Sequence, residues 1–152
     1  MATAGKVAGP SKSEVLREVG ETFGLVPDWI KQIPESSLGG FWGVMRDFEL
    51  AETKIPNKYK ELIGLAVSGV TRCKYCALFH TEAARLFGAT DDEIAEASTM
   101  SGYTMFASTF LNAQQIDYDK FKKETLQAVE YVKRNLGGRD VEKRDRPVTA
   151  RS

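Results

Sequence analysis

Apolar side chains recur every three or four residues along most of this chain, the spacing of one face of a helix. No stretch of useful length alternates apolar and polar positions as a strand does, and no internal repeat is visible. Ser11 and Glu14 offer a capping box, after which Val15, Leu16, Val19 and Phe23 share a stripe that Gly24 ends. Pro27 opens a short helix carrying Trp29, Ile30 and Ile33, and Pro34 closes it. A third helix starts at Ser36 or Ser37, with Leu38, Phe41, Trp42, Met45 and Phe48 on its apolar side. Gly39, Gly40 and Gly43 weaken that helix or mark close contacts. Trp29, Phe41, Trp42 and Phe48 read most simply as core.

Pro56 begins a fourth helix, for which the periodicity selects Tyr59, Leu62, Ile63, Ala66, Val67 and Val70 as the core face. A fifth runs from about Cys73 to Phe87, with Gly88 as its C-cap. Thr90 and Glu93 form a second capping box for a long helix towards Asn112 or Gln115. Along it, Met100, Tyr103, Met105 and Phe106 read as core packing in preference to a substrate pocket. Asp117 caps the last helix, which is expected to bury Phe121, Val129, Val132 and Leu136 before Gly137-Gly138 ends it. The fold class is therefore all-α. Residues 1–10 are expected to form a flexible N-terminus, 11–138 a single helical domain, and 139–152 a charged, disordered tail.

Composition narrows the partners. Lysine plus arginine and aspartate plus glutamate number 21 each, so no charge excess calls for nucleic acid or an anionic membrane. The first residues lack the apolar core of a signal peptide, and no run approaches the ~18 apolar residues that span a bilayer. The expected location is the cytoplasm. A chain of this length buries about 68–70% of its unfolded surface and needs neither disulfide nor metal for stability. In a reducing compartment a vicinal cysteine pair points to catalysis or metal binding rather than to a permanent staple.

That pair is Cys73 and Cys76, and His80 follows it by one helical turn; they are the only cysteines and the only histidine in the chain. At about 100° per residue the three fall within roughly 60° of one another on a helix face. A hairpin turn around Gly69 to Arg72 would bring Glu61 of the fourth helix level with His80. Glu61 lies off the apolar face, on a stripe shared with Gly64, Leu65 and Ser68, where small residues permit close approach.

The chemistry follows from these neighbours. A free thiol has a pKa near 8.5, so a base is needed to make thiolate at neutral pH. His80 stands at i+4 from Cys76 and can take its proton, while a carboxylate on the other ring nitrogen orients the imidazole. Cys73, at i−3, is the partner thiol for a disulfide. A position near the helix N-terminus favours thiolate at Cys73, as in a thioredoxin-type site, whereas the histidine favours Cys76 as the attacker. We favour Cys76.

Glu61, then Cys73-x-x-Cys76-x-x-x-His80, resembles the active-site signature of alkylhydroperoxidase D (AhpD) proteins of the carboxymuconolactone decarboxylase superfamily. The resemblance runs from Pro56 to about Asn112. It implies a compact helical bundle with a central antiparallel helix hairpin, assembled as a homo-oligomer, commonly a trimer or hexamer. It further implies a peroxidatic Cys76, a resolving Cys73, and a proton relay of His80 and Glu61. The substrate would be an alkyl hydroperoxide or hydrogen peroxide, and a lipoyl domain or thioredoxin-like dithiol protein would restore the pair, with no cofactor. Tyr75 departs from the histidine of the best-studied branch, and a single copy of the helical core motif points to self-association. The superfamily's decarboxylases lack the cysteine pair, so its name is a poor guide.

Three rivals accompany the peroxidase reading. A dithiol–disulfide oxidoreductase or redox sensor for a protein partner keeps the chemistry without the peroxide. A metal site of Cys73, Cys76, His80 and Glu61 would suit zinc, although structural zinc sites usually draw ligands from two segments. A structural helical oligomer with incidental thiols is the third.

Overall fold

In a computed structural model of the chain, residues 9–136 are described, and every regular element among them is helical. The Gly137-Gly138 stop, the tail at 139–152 and most of the N-terminus expected to be flexible lie outside the described residues, as does the side chain of Leu136. The elements are α1 (Lys12–Phe23), α2 (Asp28–Lys31), α3 (Glu35–Val44), a π-helical turn (Met45–Glu49), α4 (Asn57–Thr71), α5 (Lys74–Leu86), α6 (Asp91–Ala113) and α7 (Tyr118–Leu136). No helix among the described residues is long and apolar enough to cross a membrane. The chain divides into two compact units within α6, residues 1–103 and 104–152.

Local chemistry accounts for most helix ends. The Glu14 N–H donates to Ser11 Oγ at 3.3 Å and the Ser11 N–H to Glu14 Oε2 at 2.7 Å, completing the first capping box. Thr90 and Glu93 make the same reciprocal pair at 2.9 and 3.1 Å, and Asp117 accepts from the Lys120 N–H at 2.7 Å. Gly24 and Gly88 take left-handed conformations, with φ of 73° and 81°, where α1 and α5 end. The third helix begins at Glu35, just after Pro34, rather than at a serine. Proline fixes φ near the helical value and tolerates an N-terminal position, so it serves there as stop and start together.

In the first unit, Val15, Val19, Ile30, Leu38 and Trp42 form a core from α1, α2 and α3. Leu16, Phe23, Val26, Ile33, Met45 and Leu50 pack around it. The Trp42 indole N–H is satisfied by Glu18 Oε2 at 2.8 Å, an oxygen that Arg46 also reaches at 3.0 Å. The most extensive helix pairing joins α4 to α5. Arg72, in the left-handed region with φ of 56°, makes the turn between them.

The core face expected on α4 is overturned. Tyr59, Ile63, Val67 and Val70 are exposed, whereas Asn57, Lys60, Glu61, Leu65 and Ser68 are buried. The reason is steric and polar together: the stripe carrying Gly64 and Ser68 admits α5 closely, and the polar groups on it find partners inside. Trp29, Phe41 and Phe48 are likewise exposed, with Trp29 and Phe41 meeting edge to face at 5.6 Å, and only Trp42 of that aromatic set is core. Met100, Tyr103, Met105 and Phe106 are exposed on α6. In the second unit, Phe106 and Phe110 stack at 6.3 Å, and Phe121, Val129 and Val132 are exposed on α7 where burial was expected.

A Cβ at Gly64 would lie 2.5 Å from His80 Nδ1 and Cε1 and 2.7 Å from Nε2, so the imidazole rests directly on the α4 backbone. Gly40, on an exposed helical position with nothing within 4 Å, is a natural control. Gly64→Ala should cost about 1–3 kcal/mol through overpacking, while Gly40→Ala should be neutral or stabilise by up to about 1 kcal/mol. Urea unfolding of the two variants checks this, and equal stabilities would contradict the close approach.

Candidate active site

The α4–α5 pair presents its functional groups in two adjoining layers. Cys73 is the N-cap of α5, in extended conformation, and its Sγ accepts from the Cys76 N–H at 3.2 Å. The two cysteines are joined as a disulfide with Cα atoms 5.4 Å apart, within the ordinary range for such a bond. Cys76 is exposed and Cys73 half-buried. The Cys73 N–H in turn donates to the Ser68 carbonyl at 3.0 Å, tying the start of α5 to the end of α4.

One turn along α5, His80 Nδ1 lies 2.7 Å from Glu61 Oε2. Glu61 is fully buried and His80 is largely so. In the tautomer that donates from Nδ1 to this carboxylate, Nε2 is left as the basic atom. The Glu61 hydrogen bond raises the His80 pKa above its ordinary value, burial opposes it, and the charges of Glu61 and Glu49 add to the rise. The antiparallel register expected from spacing thus brings Glu61 to His80, on the helix that also carries Cys76.

Glu49 joins them without having been foreseen. It ends the π-helical turn, and its Oε1 lies 3.6 Å from His80 Nδ1. Burial and then the neighbouring Glu61 carboxylate push its pKa upward. Oε1 of both glutamates is buried without a hydrogen-bond partner among the described residues. Lys60, itself buried, holds the segment in place: its ammonium donates to the carbonyls of Phe48, Glu49 and Ala51 at 2.5, 3.1 and 2.6 Å. Asn57 Nδ2 adds a bond to the Leu50 carbonyl at 2.9 Å. No sequence pattern announces Glu49, because a π turn shifts the helical phase and the contact joins segments far apart in the chain. One ligand atom each from Glu49, Glu61 and His80 lies within 4.8 Å of the others, so these three form a set that a divalent cation would fit. It differs from the cysteine-based set considered from sequence.

The model of the carboxymuconolactone decarboxylase family matches residues 38–116, just over half of the chain and the whole of this site. The chain belongs to that family. Among solved structures it is similar to the alkylhydroperoxidase AhpD core from Rhodospirillum rubrum, at 25% identity and a TM-score of 0.62, over 78% of this chain and 96% of that one. Among curated proteins it is similar to uncharacterized protein 4 in the cox locus of Paracoccus denitrificans, 31% identical over 65 residues. That match takes in 43% of this chain and 59% of the relative's length.

The raised pKa values of His80 and Glu49 mean that the native state binds their protons more tightly than the unfolded chain does. By linkage, the His80 stabilisation is complete below about pH 6.5 and is lost as pH rises through the raised native pKa. The Glu49 contribution has the same sign and begins to fade at lower pH. Unfolding free energies of the wild type and His80→Gln between pH 5 and 9 should therefore differ by an amount that shrinks as pH rises. A pH-independent difference would exclude the raised His80 pKa.

Proposed function

We propose that this protein is a thiol-dependent peroxidase that reduces alkyl hydroperoxides or hydrogen peroxide through the Cys73–Cys76 pair. The observation that carries the reading is the 2.7 Å contact between buried Glu61 of α4 and His80 of α5, the helix that bears the disulfide-forming cysteines. The likeness to an AhpD core supports it. In the reduced protein His80 Nε2 takes the Cys76 thiol proton. The thiolate attacks the terminal peroxide oxygen, the O–O bond breaks, and the product is an alcohol, or water from hydrogen peroxide. Cys76 is then a sulfenic acid; Cys73 sulfur displaces its oxygen as water and closes the disulfide. A dithiol donor, a lipoyl domain or thioredoxin-like protein in a reducing cytoplasm, returns both thiols by exchange at the exposed Cys76.

One observation favours a second reading, a dithiol–disulfide oxidoreductase acting on a protein partner. The Cys73 sulfur occupies the N-cap and accepts a backbone N–H, an arrangement that favours thiolate on the first cysteine. Comparing peroxide with lipoamide and protein disulfides under one set of conditions separates the two.

Brief exposure of reduced, metal-free protein to one equivalent of an organic hydroperoxide should remove two hydrogens from the intact mass. Cys73→Ser should instead gain one oxygen on Cys76, and Cys76→Ser should lose turnover. Unimpaired peroxide turnover by Cys76→Ser would reject the peroxidase assignment.

A homo-oligomer belongs to this proposal. Tyr59, Ile63, Val67 and Val70 form an exposed apolar stripe along α4, and a single copy of the helical core leaves that face for a second copy to cover. Sedimentation velocity should give a trimer or hexamer. Replacing Ile63 and Val67 by glutamate should shift it to smaller species, and a monomeric wild type would remove this part of the reading.

A further inference from the structure

Two carboxyl groups meet inside the first unit with no lysine or arginine paired to either. Among the described residues the ion-pairing contacts of Glu49 and Glu61 are both to His80 Nδ1, at 3.6 and 2.7 Å. Lys60 lies beside them, but its three N–H groups go to the carbonyls of Phe48, Glu49 and Ala51, which leaves none for a carboxylate. Oε1 of Glu49 and Oε1 of Glu61 are buried without a hydrogen-bond partner among the described residues, and the Glu61 side chain has 0% exposure. Buried oxygens in that condition are costly, and an ion is one of the few things that satisfies two of them together. We propose that Glu49, Glu61 and Nδ1 of His80 form a binding site for a first-row divalent transition ion of the zinc class, built without either cysteine.

Geometry and donor chemistry both select this class. One ligand atom from each residue lies within 4.8 Å of the others. The separations of 2.7 and 3.6 Å bracket the roughly 3.0–3.4 Å expected between neighbouring ligands of an ion held at about 2.1 Å. The donors come from three segments, the π turn, α4 and α5, whereas both cysteines and His80 of the cysteine-based set sit at one end of the chain's fifth helix. An imidazole nitrogen beside carboxylate oxygens favours zinc and its neighbours over magnesium or calcium, which take oxygen ligands. Two carboxylates match the charge of a divalent ion.

The surroundings also fit. Glu61 closes the site from within, while Glu49 and His80 keep 23% and 19% side-chain exposure, which gives an ion a way in. Each ligand has support behind it: Lys60 and Asn57 fix the segment around Glu49, and the bare Gly64 backbone backs the imidazole. Nδ1 cannot donate a hydrogen and hold an ion at once. The loaded form therefore exchanges the direct Glu61–His80 hydrogen bond for coordination through the ion. Binding uses neither sulfur nor peroxide, so the site goes beyond the peroxidase reading and does not rest on it.

The test takes the untagged full chain in its disulfide form, stripped with a chelator, and titrates it with zinc chloride at neutral pH. The disulfide removes both thiols as competing ligands, and His80, the only histidine, gives unambiguous ring signals by NMR. Calorimetry should find one zinc per chain, with the His80 ring signals moving to a bound set that is complete at one equivalent. Glu49→Gln should weaken binding by at least about tenfold, the least that losing a mere supporting residue tends to cost a metal site. Glu52→Gln, which removes an exposed carboxylate of the same segment, should bind as the wild type does. Should Glu49→Gln not fold, the wild-type His80 signals decide alone. No zinc bound by the disulfide form, zinc bound with the His80 ring unmoved, or equal affinity in Glu49→Gln each overturns the proposal. Zinc bound only after reduction overturns it in favour of the cysteine-based set.

Discussion

Everything at the site depends on how closely α5 can lie against α4. The imidazole of His80 sits on the bare backbone of Gly64, at a separation that no side chain would allow. That approach seals the Glu61 carboxylate from water and brings it within hydrogen-bonding distance of the ring. Burial makes an unpaired carboxylate costly, and the hydrogen bond from Nδ1 offsets that cost while fixing the ring's orientation. Packing and proton chemistry are therefore one constraint: the glycine that permits the contact also makes the contact electrostatically strong.

The segment before α4 extends the same logic. A π turn ends with its last carbonyls pointing along the chain, where the next residues offer no amide partners. Lys60 answers these carbonyls with a buried ammonium, and Asn57 answers the next one at Leu50. Both side chains come from the first turn of α4. The helix that presents Glu61 thus also anchors the segment that presents Glu49, so the two carboxylates are set by one rigid element.

Much of this was legible in the chain. Capping boxes at Ser11 and Thr90, the stops at Gly24 and Gly88, and the all-α class follow from local rules that tertiary contacts did not disturb. The register that pairs Glu61 with His80 followed from counting across the turn, because a short connection leaves an antiparallel hairpin little freedom. The buried face of α4 was not legible. Hydropathy favours Ile63 and Val67, yet the stripe with glycine and serine is the one that fits against α5, and its lysine and glutamate find partners only in three dimensions. Glu49 escaped for a related reason: its contact is long-range, and a π turn breaks the period on which such counting relies.

The N-cap of α5 is both a structural end and one half of the Cys73–Cys76 disulfide. Capping side chains at such positions hold helix termini by about 0.5–2 kcal/mol, and here the capping atom is Cys73 sulfur. A thiolate accepts an N–H bond at least as well as a disulfide sulfur does, so the same cap is open to Cys73 in its reduced form. On the proposed function a donor would have only to reach the exposed Cys76 sulfur beside that cap.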